Sequence, residues 1–140
     1  MAIPTSLRLH IVSADRSLVD QQVDEVEIPG TDGYFGVLPG HTPLLALLGA
    51  GELWYRKGDH KEYLLIAFGF AEVGPEHVTI LAQSAEAAEE IDVTRAQAAL
   101  KRAQERIAHP VADMDFERAR IALIKSLARL QVATRVRIRS

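Results

Sequence analysis

GTDGYFGVLPGHTPLL, residues 30–45, holds four of the nine glycines and two of the six prolines of the chain. Glycine and proline at that density, with Tyr34, Phe35, Val37 and Leu38 between them, specify short extended pieces joined by tight turns and exclude a helix. Pro39-Gly40 pre-sets φ for a turn and then supplies a positive φ, and Pro43 keeps the next segment extended at its start.

On both sides of this stretch the apolar pattern has the period of two that marks a half-buried strand. Leu7, Leu9 and Ile11 alternate with Arg8 and His10, and Val19, Val23, Val26 and Ile28 continue the pattern until Pro29-Gly30. Gly49-Ala50-Gly51 reads as a turn into ELWYRK, which crosses Gly58-Asp59 into HKEYLLIAFGFAEV as a hairpin. After a turn at Gly74-Pro75, HVTILAQS is the last strand, with Val78, Ile80 and Ala82 on one face. Roughly eight to ten segments at this spacing predict an antiparallel β-sandwich or flattened barrel over residues 1–85.

Over residues 86–140 the period lengthens to that of a helix and glycine disappears. Asp92 is the expected N-cap of a helix reaching Ala108, with Ala96, Ala99, Leu100, Ala103 and Ile107 on its apolar stripe. His109-Pro110 ends it, and Asp113 or Asp115 caps a second helix to form an antiparallel hairpin. The second helix carries two apolar lines, Phe116, Ala119, Leu123, Leu127 and Leu130 beside Ile121, Ile124 and Ala128, which calls for two partners. The terminal RVRIRS is read as frayed or extended.

A chain of 140 residues, 48% apolar, can bury one sizeable core, or a core of about 90 residues with an appendage. Absence of cysteine excludes a disulfide scaffold, a thiolate zinc site and a cysteine nucleophile. The opening MAIPTSLRLHIVS has neither a signal-peptide nor a transit-peptide pattern, and no apolar run approaches 18 residues, so membrane association is expected only through a partner. The net charge of −3 divides unevenly: 5 basic and 14 acidic side chains in residues 1–90, 11 and 5 in residues 91–140. The basic part is therefore expected to face something acidic.

No phosphate-cradling GxxxxGK[ST] loop, GxSxG elbow or SxxK motif is present, so no catalytic residue is expected. His10, His41, His60, His77 and His109 have no ligand-spaced partners on one helix, so no metal site and no required cofactor are expected either. One stretch suits a small molecule: in IDVTRA, residues 91–96, Asp92 can cap the helix while Arg95, one turn on, reaches a phosphate or Asp92 itself.

Gly33, Gly36, Pro39-Gly40-His41 and Pro43-Leu44 resemble the signature of the epsilon subunit of the bacterial F-type ATP synthase, and the likeness extends over nearly all of the chain. The resemblance implies a noncatalytic rotor subunit on the cytoplasmic face of the inner membrane. The sandwich would bind the gamma subunit through His41 and the membrane rotor ring through Asp32, Gly33 and Tyr34, coupling proton flow to rotation. The hairpin would regulate ATP hydrolysis, with Arg118, Arg120, Lys125 and Arg129 as a basic arm toward the catalytic alpha and beta subunits. The resemblance also implies ATP as a regulatory ligand, held by Glu86, Ile91, Asp92, Arg95, Ala96, Lys125 and Arg129. Lys125 stands where relatives have arginine, which keeps the charge and loses the planar fork. A nucleic-acid-binding module using the basic helices, and a small ligand-binding enzyme domain, are the alternative readings; Phe116 is the one aromatic of the basic helices, and no convergent catalytic set is visible.

Overall fold

Alternating apolar residues build the first strands as expected. In a computed structural model, which describes residues 3–111 and 113–139, with side chains described as far as Val136, β1 (Leu7–Val12) buries Leu7, Leu9 and Ile11. It pairs antiparallel with β2 (Ser17–Val23), which buries Val19 and Val23. β3 (Glu25–Gly30) and β4 (Gly33–Val37) form a hairpin closed by the Gly30–Gly33 pair, with Gly33 at φ +128°. β5 (Leu44–Lys57) and β6 (His60–Val73) are joined by Gly58-Asp59, with Gly58 at φ +61°, and β7 (His77–Ala87) follows the Gly74-Pro75 turn.

These seven strands make one continuous sheet in the order β2-β1-β7-β6-β5-β3-β4, folded over a core as a sandwich. Gln21 Nε2 on β2 donates to Tyr55 Oη on β5 at 2.9 Å, tying strands that are not neighbours in the sheet.

The sandwich differs from the expectation in three ways. It has seven strands rather than eight to ten, because the Gly49-Ala50-Gly51 stretch is no turn: β5 runs straight through it. Glycine is required there for close approach, since a Cβ on Gly51 would collide with the Tyr34 hydroxyl and stand 3.0 Å from Pro29 Cβ. Second, β3 continues through Pro29-Gly30, and β7 reaches Ala87, past the boundary placed at 85. Third, β1 pairs parallel with β7, Leu9 opposite Val78 and Ile11 opposite Ile80, so the sheet is antiparallel except there.

The inward side of β5, β6 and β7 changes halfway along. Core members are Leu53 and Tyr55, then Leu48 and the partly buried Ala46 on β5; Leu64 and Ile66, then Ala71 and Val73 on β6; Ala85, then Ala82, Ile80 and Val78 on β7. Each series changes parity at one place, the row of Gly49, Phe68 and Gln83, which is missing from otherwise unshifted registers. Phe68 has φ +62° and Gly69 φ +115°. Such a conformation costs a bulky residue on the order of 1–3 kcal/mol, and it reverses the pleat at that point.

The chain divides after Ala87 into a second unit, residues 88–140. A 3-10 turn, Ala88–Glu90, precedes α1 (Val93–Ala108), and α2 (Phe116–Arg139) packs against α1. Asp92 caps α1 and His109 ends it, as expected; α2 is capped by Asp115, whose Oδ1 accepts from Arg118 N at 3.0 Å. α2 is buried on two lines, Ala119 and Ser126 on one, Ala128 and Val132 on the other, about half a turn apart at 3.6 residues per turn. Phe116 and Leu127 depart from the expected stripe: both are exposed, because they fall about 60–80° to one side of the Ala119–Ser126 line. The RVRIR segment continues α2 to Arg139 instead of fraying, since no glycine or proline interrupts it and the arginines favour helix.

Candidate functional site

The turn at Thr31-Asp32 projects from the β3–β4 hairpin, and both residues are exposed. Thr31 N donates to Leu47 O at 3.0 Å, which brings the hairpin end against β5 and leaves a cleft of about 390 Å³ lined by Asp32, Gly33, Phe35, Leu45 and Leu47 among others. Tyr34 presents its ring to solvent while its hydroxyl accepts the Glu52 backbone N–H at 3.2 Å, above the gap left by Gly51. Asp32, Gly33 and Tyr34 thus lie together on one hairpin.

His41 is placed elsewhere and does not line that cleft. It follows the Pro39-Gly40 turn, where Gly40 has φ +88° and its N–H donates to Pro75 O at 2.8 Å. The His41 ring nitrogen Nδ1 lies 2.6 Å from Thr42 O, so it is the protonated nitrogen that donates.

Beside the cleft runs a surface to which the sequence reading assigns no role. Leu47, Phe70 and Leu81 are cross-strand partners on β5, β6 and β7, and Leu45 is two residues from Leu47 on the same face. All four are exposed, at 71% for Leu45, 56% for Leu47, 49% for Phe70 and 52% for Leu81. The row continues to Val12, the partner of Leu81 on β1. Alongside it lies a polar row in which Leu45 pairs with Glu72, Glu72 with Thr79 and Thr79 with His10. Contiguous large apolar side chains with a polar rim mark a surface that another molecule covers. Gly69 in mid-strand was the one local signal that could have found it.

In the second unit, IDVTRA forms the start of α1. Asp92 Oδ1 accepts from Arg95 N at 3.0 Å, Ile91 and Ala96 are buried, and the Arg95 side chain is exposed. Lys125 and Arg129 are half-buried on adjacent turns of α2. A cavity of about 210 Å³ opens between Val93 and Gln97 of α1 and Leu130, Ala133 and Thr134 of α2; none of the four charged residues lines it. Glu86 stands on β7, opposite Leu65, in the first unit.

The four basic residues of the expected arm do not share one face. Lys125 and Arg129 each fall within about 20° of Arg118 at 3.6 residues per turn, one on either side, whereas Arg120 lies roughly on the opposite side. Arg120 is bound to Glu117 at 2.5 Å, and the guanidinium holds that carboxyl below its ordinary range. Among the described residues no group of three or more His, Cys, Asp or Glu is placed to hold a metal ion, and no helix is long and apolar enough to cross a membrane.

Comparison with known proteins agrees with this division. Residues 6–88 match the family "ATP synthase, Delta/Epsilon chain, beta-sandwich domain", and residues 89–134 match "ATP synthase, Delta/Epsilon chain, long alpha-helix domain". The chain is 46% identical to the ATP synthase epsilon chain of Solibacter usitatus over 131 residues, covering 94% of this chain and 98% of the relative. It is 47% identical to that of Syntrophobacter fumaroxidans over 127 residues, 91% and 95% of the two chains. Among solved structures, a chain of the Euglena gracilis mitochondrial ATP synthase, resolved with OSCP, F1 and the c-ring, is similar with a TM-score of 0.83 at 28% identity, over 96% of this chain and 84% of that one.

Proposed function

The chain belongs to the ATP synthase delta/epsilon chain family, and from that premise we propose that it is a noncatalytic subunit of the central stalk, docked on the rotor through its sandwich. The observation that carries this reading is the exposed row Leu45, Leu47, Phe70 and Leu81. At about 25 cal/mol per Å², covering side chains of that size supplies several kcal/mol of association free energy. The gamma subunit is the occupant, and the Asp32-Gly33 turn, which lines one cleft with Leu45 and Leu47, meets the rotor ring together with the neighbouring Tyr34. His41, tied to its own turn, serves the gamma contact from outside the cleft. The subunit is thereby peripheral to the membrane and couples ring rotation to the catalytic head.

The hairpin regulates ATP hydrolysis in this reading. Arg118, Lys125 and Arg129 form the basic line that meets acidic surfaces of the catalytic subunits; Arg120, neutralised by Glu117, contributes little. ATP is the ligand of the α1 start, where Asp92 caps the helix and the exposed Arg95 is available to a phosphate. Two apolar lines on α2 supply the alternative packings that such a switch needs.

Two measurements test the reading. Leu47→Ser combined with Phe70→Ser weakens binding to the gamma subunit by about tenfold or more; unchanged binding removes the docking face. Calorimetric titration with ATP gives binding that Asp92→Ala and Arg95→Ala weaken; identical affinity in all three removes the ligand role of IDVTRA.

A further inference from the structure

We propose that the Phe68-Gly69 pair is the element that builds the docking face, and that covering of this face is what retains its unfavourable backbone; the inference rests on the docking reading above. Phe68 is the only non-glycine residue at positive φ among the described residues, and a bulky side chain is rarely found there.

The consequence of that conformation follows from the pleat. On β6 the inward residues before the pair are Leu64 and Ile66, so regular alternation would send Phe70 inward and Ala71 and Val73 outward. The same continuation from Leu53 and Tyr55 on β5 would bury Leu47 and Leu45, and from Ala85 on β7 it would bury Leu81. All four exposed members of the row are therefore residues that an unbroken pleat would place in the core. In their place the core takes Ala46, Leu48, Ala71, Val73, Val78, Ile80 and Ala82.

Gly69 makes the reversal sterically possible. A Cβ there would collide with the Leu81 carbonyl oxygen and stand 3.0 Å from Ala82 Cα. The chain thus combines a strained phenylalanine with four large apolar side chains in water, two costs that lie side by side along the same strands, with Phe68 two residues from Phe70. A covering partner offsets both, which is the circumstance in which strain persists at a functional surface.

The test separates backbone conformation from side chain in the full-length protein. Phe68→Asn and Phe68→Gly accept positive φ and lack the ring; both bind gamma with unchanged affinity and keep the fluorescence of an anilinonaphthalene sulfonate dye on the exposed row. Phe68→Val cannot rest at positive φ, and it loses about tenfold or more in gamma affinity together with the dye signal, while still melting cooperatively. Wild-type affinity in Phe68→Val overturns the proposal. So does a tenfold loss in a folded Phe68→Asn, which decides the matter even where the valine variant does not fold. Leu47→Ser with Phe70→Ser distinguishes the two readings: dye binding lost with gamma binding intact refutes the docking partner and leaves the pleat reversal standing.

Discussion

The surroundings of Tyr55 in the sandwich raise its pKa: first burial, then the nearby negative Glu62, only partly offset by the hydrogen bond from Gln21. A tyrosine whose folded pKa is raised holds its proton longer in the native state than in the unfolded one. Its contribution is therefore complete below the ordinary value of about 10 and is lost as pH rises through the folded value. Urea unfolding between pH 9 and 11 should show stability falling with pH, and Tyr55→Phe should flatten that slope; an unchanged slope assigns the alkaline loss elsewhere. Gly51 offers a second test. Gly51→Ala pushes a methyl group against the Tyr34 hydroxyl and Pro29 and should cost about 1–3 kcal/mol. The same substitution in a Tyr34→Phe background, where the hydroxyl is gone, should cost measurably less; equal costs would mean that Pro29 alone sets the fit.

Helix ends carry the clearest element-scale expectations. Asp92 and Asp115 each accept a backbone N–H three residues on at 3.0 Å, so either one changed to alanine should cost about 1 kcal/mol of helix stability, read as a loss of ellipticity at intermediate urea. Only Asp92→Ala should also alter ATP binding, which separates the capping role from the ligand role. Both caps were legible in the sequence, because a cap is a local property of an aspartate before a periodic apolar run. The choice between Asp113 and Asp115 was not, since it depends on where the link from His109 lets α2 begin. On α2, Arg118→Ala should relieve inhibition of ATP hydrolysis in the reconstituted enzyme more than Arg120→Ala, whose charge is already paired with Glu117. Equal effects would show that position around the helix does not matter.

At the scale of the molecule, the core of the sandwich is drawn entirely from residues Leu7 to Ala85, so a chain ending at residue 88 should keep one cooperative unfolding transition and bind gamma. A non-cooperative melt would show that the helices complete the fold. The two-part organisation and the ends of α1 were set by the sequence itself, because alternation, periodicity and proline act over a few residues. Alternation also identified most of the strands, and Gly58-Asp59 and Gly74-Pro75 identified the connections on either side of β6. Three features were decided only by tertiary structure. The parallel pairing of β1 with β7 joins residues about 70 apart, beyond the reach of any local signal. The extension of β5 through Gly49 and Gly51 depends on what lies opposite them, Gly30 in one case, Pro29 and Tyr34 in the other. The exposed apolar row depends on Phe68 taking φ +62°, which reverses the pleat on three strands at once. Sequence patterns assume one regular backbone, and they assign a side chain to the wrong face wherever packing between strands selects another.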